Sequence, residues 1–190
     1  MLNFRHDSYQ EKTHLTDQTE RAMKENGTLI LFCEKMGAGK STKAVEVAQN
    51  TGAILISENE WLSNLYPREI CSLSNYIEYS ARLKSIIKPH IQNILKHGTS
   101  VILDFPGNTR RQRSWFKEIL QDNFFPHQLI YLKAEDELCL QRITQRQKSH
   151  PERATFDNPE TFKQVNQYFE EPTLSERFNI EVIEQREISK

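Results

Sequence analysis

Cysteine and glycine are both scarce in this chain, with three cysteines and six glycines among 190 residues. Cys33, Cys71 and Cys139 are odd in number, far apart and without the paired spacing of a metal site. That excludes a disulfide-framed scaffold and a zinc knuckle, and fits the reduced thiols of a cytosolic protein. Cys33 and Cys139 stand among apolar residues and read as small core side chains. No apolar run approaches the roughly 18–20 residues of a membrane span. Residues 1–10 are polar and carry no signal-peptide core. A cytoplasmic location and no membrane partner are expected. Charge of one sign is also lacking: 25 Lys and Arg face 26 Asp and Glu, for a net charge of −1. A whole-surface attraction to nucleic acid is therefore not expected, although a local basic groove is allowed. The mean hydropathy of −0.69 predicts solubility.

What is present alternates between two patterns. Residues 28–33, 53–56, 100–104, 127–132 and 179–183 are short apolar runs, as in strands buried on both faces of a parallel sheet. Between them lie helical stretches at 40–50, 58–66, 75–97, 109–121 and 136–147, and residues 161–169 extend the pattern. Pro89 predicts a kink or break in the longest one, where Leu83, Ile86, Ile87, Ile91, Ile94 and Leu95 recur at helical spacing. Trp115, Phe116, Ile119 and Leu120 form the expected buried stripe of the helix at 109–121. Strands and helices in alternation predict an α/β fold, a parallel sheet of about five strands covered on both faces. One domain is expected over 1–190, with a peripheral arm or helix at 1–27 and a lid loop at 149–160. Ligands in such sheets sit at the carboxyl ends of the strands. Glu34–Thr42, Ser57–Glu60, Asp104–Asn108 and the lid loop would then surround one site.

Gly37-Ala38-Gly39-Lys40-Ser41-Thr42 follows the first strand and opens a helix. Glycines let backbone N–H groups converge on phosphate oxygens, and the helix N-terminus adds partial positive charge. Lys40 would reach the β- and γ-phosphates, Ser41 would place its hydroxyl on Mg²⁺, and Thr42 could face an α-phosphate. The strict pattern G-x-x-x-x-G-K-[ST] asks for glycine where this chain has Glu34. A glutamate there either bends the loop or adds negative charge beside the phosphates.

Asp104 ends a strand, where an acid can hold Mg²⁺, orient an acceptor or simply cap a turn. Glu58 and Glu60 follow the second strand and are candidate bases for an acceptor hydroxyl, or acids favoured by a helix start. Arg142 and Arg146 share a helix face, and with Arg153 they could close over the nucleotide and stabilise a transferring phosphoryl group. Arg110, Arg111 and Arg113, next to Trp115 and Phe116, suggest either a solvated helix face or a nucleic-acid contact. Trp61, Tyr66, Tyr76, Tyr79 and Trp115 fall where an acceptor pocket would be built.

Residues 33–42, 55–61 and 103–109 resemble small P-loop kinases, the branch of predicted kinases among AAA-type ATP-binding proteins, related to polynucleotide kinase, zeta toxin and chloramphenicol phosphotransferase. The resemblance spans roughly residues 28–183. It implies a P-loop NTPase fold, ATP with Mg²⁺ as cofactors, and a small-molecule or nucleotide acceptor. It places the general base at Asn59, an amide, which leaves Glu60 and then Glu58 as substitutes. It also implies a mobile lid carrying arginines, matched by Arg142, Arg146 and Arg153. Transfer of the γ-phosphate of ATP to a hydroxyl is the expected activity. The rivals are a 5′-hydroxyl nucleic-acid kinase, less favoured by the charge balance, and a non-catalytic nucleotide-binding protein.

Overall fold

A strand that is apolar at every position needs cover on both faces, and this chain supplies it by placing helices between successive strands. The computed structural model describes residues 26–121, 125–151 and 156–186. Five strands form one sheet: β1 (Leu29–Glu34), β2 (Ile54–Ser57), β3 (Val101–Asp104), β4 (His127–Lys133) and β5 (Ile180–Glu184). Every pairing is parallel and the spatial order is β2-β3-β1-β4-β5. The connecting helices are α1 (Lys40–Thr51), α2 (Glu58–Leu65), α3 (Leu73–Lys96), α4 (Arg110–Leu120), α5 (Asp136–Ser149) and α6 (Pro159–Asn166). A short 3₁₀ turn at Leu174–Glu176 precedes β5.

The period of two along a strand divides the core into two layers. Leu29, Leu31 and Cys33 of β1 join Leu83, Ile87, Ile91 and Leu95 of α3 and Phe116 and Ile119 of α4. Ile30 and Phe32 point the other way, toward Ala44 of α1, Leu138, Cys139 and Ile143 of α5, and Phe162 of α6. β1 is therefore buried along its whole length, and its neighbours β3 and β4 bring their carboxyl ends to the same edge.

The expected elements appear with small shifts at their ends, but Pro89 does not break α3, which runs for 24 residues through it. A proline inside a helix costs about 3 kcal/mol. Four aliphatics on the inner face outweigh that, at roughly 1.5–3 kcal/mol each on burial. Pro89 and Ser85 both lie on the exposed side, where water can replace the lost hydrogen bond. Ile86 departs from the expected buried stripe and is 72% exposed. Trp115 and Leu120 are only partly buried, whereas Phe116 and Ile119 are inside. The helix before the lid extends to Ser149, and α6 begins at Pro159 with the Asn158 side chain accepting from the Thr161 N–H at 2.8 Å. Of the N-terminal arm and the lid loop, residues 1–25 and 152–155 lie outside the described residues.

Truncating Ile91 to Ala removes a fully buried contact and should cost about 2–5 kcal/mol in urea unfolding. Ile86→Ala should change stability by no more than about 0.5 kcal/mol.

Candidate functional site

The loop between β1 and α1 is shaped by its glycines and held on several sides. Gly37 has φ 86° and Gly39 has φ 109°, left-handed values that L side chains rarely adopt. A Cβ at Gly37 would also lie 2.8 Å from the Cys139 carbonyl oxygen. Lys35 Nζ pairs with Asp136 at 2.6 Å, the Met36 N–H donates to Asn166 Oδ1 at 3.0 Å, and Arg142 Nη1 donates to the Ala38 carbonyl at 2.7 Å. Gly39 has no side chain to cap α1, and the first turn of that helix holds no acid. The positive end of α1 is thus left for an anionic ligand.

Lys40 crosses from the first position of α1 to the end of β3. Its Nζ lies 2.8 Å from Asp104 Oδ1 and 3.9 Å from Glu34 Oε1. Ser57 stands opposite Asp104 in the β2–β3 register and donates its hydroxyl to Asp104 Oδ2 at 3.1 Å. Both carboxylates are 4% exposed. Glu34 Oε2 is buried and finds no hydrogen-bond partner among the described residues. Burial pushes the Glu34 carboxyl up from the usual 4.5 to about 7, against the pull of Lys40, and the Asp104 charge adds to the rise. Burial would lower the Lys40 ammonium, but Glu34 and Asp104 outweigh it and hold the group above its ordinary value. Glu34 does not bend the loop, since it continues β1 and its φ is not positive. The bend is therefore not seen, and what Glu34 adds is a buried carboxylate beside Lys40.

Ser41 and Thr42 are exposed beside this pair. A hydroxyl, a strand-end carboxylate and a second, unpartnered carboxylate oxygen are hard oxygen donors of the kind Mg²⁺ takes. The residues present therefore fit the group.

The remaining candidates divide between near and far. Arg142 reaches the loop and also lies 3.4 Å from Gln185 Oε1, just past β5. Arg146 is instead held in a fork by Asp157, with both bonds at 2.7 Å, on an aspartate that is 1% exposed. Arg153 lies outside the described residues. Glu58 is 1% exposed and its oxygens are taken: it accepts from Tyr76 at 2.5 Å and Ser80 at 2.6 Å, and Lys84 approaches to 3.4 Å. Burial and the Glu58 charge together raise the Tyr76 phenol. Asn59 and Glu60 are exposed on α2, and no described residue pairs with the Glu60 carboxylate. Most aromatic residues of the expected acceptor pocket have partners within the fold. Tyr66 stacks on Tyr79 at 4.1 Å, and Trp115 stacks on Phe105 at 5.2 Å with Lys84 over its ring. Trp61 stays 37% exposed.

Arg113 corrects the reading of a basic stripe on α4. Arg110 and Arg111 are exposed, but Arg113 is wholly buried. It forks onto Glu176 at 2.7 and 2.8 Å and donates to the Gly107 and Glu170 carbonyls at 2.9 and 2.8 Å. Burial would raise the Glu176 carboxyl, but Arg113 and the Thr173 N–H more than reverse this, so it lies below its usual range. Sequence reasoning missed this residue as an anchor of the loop after Asp104. One signal was available: Thr173-Leu174-Ser175-Glu176 is a capping-box pattern, and the structure forms that box.

A family model described as AAA domain matches residues 29–172. No curated protein sequence matches the chain. Among solved structures, Kti12 from Chaetomium thermophilum, in complex with ADP-AlF3, is similar at a TM-score of 0.60 and 14% identity, over 82% of this chain and 88% of that one. A sugar kinase from Janibacter sp. gives a TM-score of 0.56 at 16% identity, over 83% and 85%. The APS kinase CysC of Mycobacterium tuberculosis, in complex with AMPPNP and APS, gives 0.55 at 12% identity, over 84% and 88%. These likenesses establish a P-loop NTPase fold for the chain.

Two measurements follow from the buried charges. The folded Glu34 carboxyl, at about 7, holds a proton that the unfolded chain releases near 4.5. Its contribution to stability therefore falls as pH rises through that window and is flat above it. Glu34→Gln should raise the melting temperature more at about pH 8 than at about pH 5. Glu176→Gln leaves the Arg113 charge buried and unbalanced, and should cost about 3–5 kcal/mol in denaturant unfolding.

Proposed function

The chain belongs to the AAA domain family, and from that premise we propose that it is an ATP-dependent phosphotransferase acting on a hydroxyl of a small molecule or nucleotide. The observation that carries this reading is Lys40, at the mouth of the Gly37–Gly39 loop and 2.8 Å from the strand-end Asp104. The loop amides and the α1 N-terminus would bind phosphate oxygens, and Lys40 would turn from Asp104 onto the β- and γ-phosphates. Ser41 and Asp104 would hold Mg²⁺, which when bound neutralises charge on the phosphoryl oxygens. Arg142 bridges the loop and Gln185, and would border the nucleotide from the α5 side. The site would be closed by the segment that carries Arg146 and Arg153.

In the transfer, the acceptor oxygen forms a bond to the γ-phosphorus as the bond to the bridging oxygen breaks and ADP leaves. The acceptor proton goes to a carboxylate. Glu60 is exposed and has no partner among the described residues, and serves as that base. Glu58, saturated by Tyr76 and Ser80, acts by holding α2 and α3 against the end of β2. A second reading, nucleotide binding without transfer, draws on Asn59, the amide where the resemblance expects the base. The buried Arg113 removes support from a nucleic-acid acceptor, since only Arg110 and Arg111 of that cluster reach solvent.

The test is acceptor-dependent ADP release with nucleosides, aminoglycosides, amino sugars and 5′-hydroxyl oligonucleotides. Lys40→Ala should lower kcat/KM by roughly 100-fold or more, as expected on loss of a phosphoryl-stabilising group. Glu60→Gln should lower kcat with little change in KM. Transfer undiminished in the Lys40 variant would overturn the assignment. Binding of ATP without transfer to any acceptor would favour the second reading.

A further inference from the structure

Glu34 is a charge that the phosphate loop does not call for, and the fold places it beside the lysine that would carry phosphate. Glu34 ends β1 and Asp104 ends the adjacent β3, and both carboxylates reach the Lys40 ammonium. Among the described residues, Lys40 is the only cation paired with either of them. Asp104 is matched at 2.8 Å and also accepts from Ser57. Glu34 is the surplus group: its nearer oxygen is 3.9 Å from the shared ammonium, and its other oxygen is buried without a hydrogen bond. Above about pH 7, where burial no longer keeps the proton on Glu34, one ammonium and two carboxylates sum to a net negative site before any ligand arrives.

We infer that Glu34 makes this phosphate site selective for the metal-complexed nucleotide over the free nucleotide. The inference rests on the reading of the Gly37–Thr42 loop as a nucleotide site. A free nucleotide brings the full charge of its phosphates, and to reach Lys40 it must draw the ammonium away from both acids and lie beside them. Repulsion between like charges a few ångströms apart in a poorly solvated site is worth well over a factor of ten in affinity. A nucleotide that arrives with a divalent cation carries its own counter-charge. That cation lies where Asp104 and Ser41 offer oxygens, and the Glu34 charge then attracts it as well as repelling the phosphates. Asp104 alone would leave the site neutral with Lys40, so the selectivity belongs to Glu34.

The test is nucleotide affinity, measured by calorimetry on the full chain at mildly alkaline pH, with ATP in excess Mg²⁺ and with ATP in EDTA. The quantity read is the ratio of the two dissociation constants, for the native protein, Glu34→Gln and Glu34→Gly. The glycine variant restores the loop pattern and decides the matter if the glutamine variant does not fold. The ratio should fall by roughly tenfold or more in the variants, chiefly because binding in EDTA tightens. A purely structural role for Glu34 would change both constants together and leave the ratio as it was. A ratio unchanged within about twofold, or a native protein that binds equally well with and without the metal, overturns the inference and leaves the nucleotide reading in place. A native protein that binds ATP under neither condition overturns both.

Discussion

The Lys40 ammonium, shared by Asp104 and Glu34, is the interaction on which the arrangement of this edge of the sheet depends. Buried carboxylates need a partner, because the cost of desolvating an unpaired charge exceeds most single contributions to folding. Here the partner comes from the first residue of α1, so the helix N-terminus is drawn across the end of β1 toward β3. Ser57 extends the link to β2 through its bond to Asp104. Three strands and one helix thus meet at a single ion pair. The glycine loop adopts left-handed turns between fixed ends, and under the proposed function the contact that orders this edge would give way as phosphate takes the lysine.

Three arginines bracket this centre, and each is committed differently. Arg142 crosses from α5 to the Ala38 carbonyl and so ties the loop to that helix. Arg146, one turn further on, is anchored to the buried Asp157 and ties α5 to the segment that leads into α6. Arg113 works from below, tying the Gly107 carbonyl and the segment through Glu176 together inside the protein. The loop after Asp104 is therefore held by chain that lies far away in sequence. Buried pairs of this kind add less net stability than their distances suggest, but they leave few alternative positions for the loop they hold.

Much of the fold was legible because its signals are local. The apolar runs named all five strands, and the glycine-rich turn after the first of them located the site. Pro89 did not break α3, because the aliphatic face that the helix buries on both sides of it outweighs the local penalty. Ile86 misled because helical spacing alone does not say how wide the buried stripe is. The charged residues were the least legible. Arg142 and Arg146 share a face and a spacing, yet one meets a loop carbonyl and the other a buried aspartate, a difference set wholly by packing. Tyr76, Ser80 and Lys84 recur every four residues, which marks one helix face, but nothing local says that the face receives Glu58. Arg113 finds Glu176 across 63 positions, beyond the reach of any periodicity.

The contrast between Glu58 and Glu60 bears on what the site is for. A carboxylate as buried as Glu58, met by two hydroxyls and an ammonium from one helix, locks α3 to the first turn of α2. Two residues later on α2, Glu60 is exposed and its oxygens are unclaimed among the described residues. A nucleotide-binding protein needs the loop, Lys40 and Asp104, all of which lie at the other strand ends. It has no need of a rigidly held acidic helix after β2. An enzyme does, because a base contributes only when its position relative to the reacting hydroxyl is fixed before the substrate arrives. Under the proposed function, the charge that α2 buries gives that fixity, and the charge it exposes takes the proton. Asn59 lies between them as an amide that cannot take a proton, so a transfer at this strand end would depend on how close α2 brings Glu60 to the acceptor.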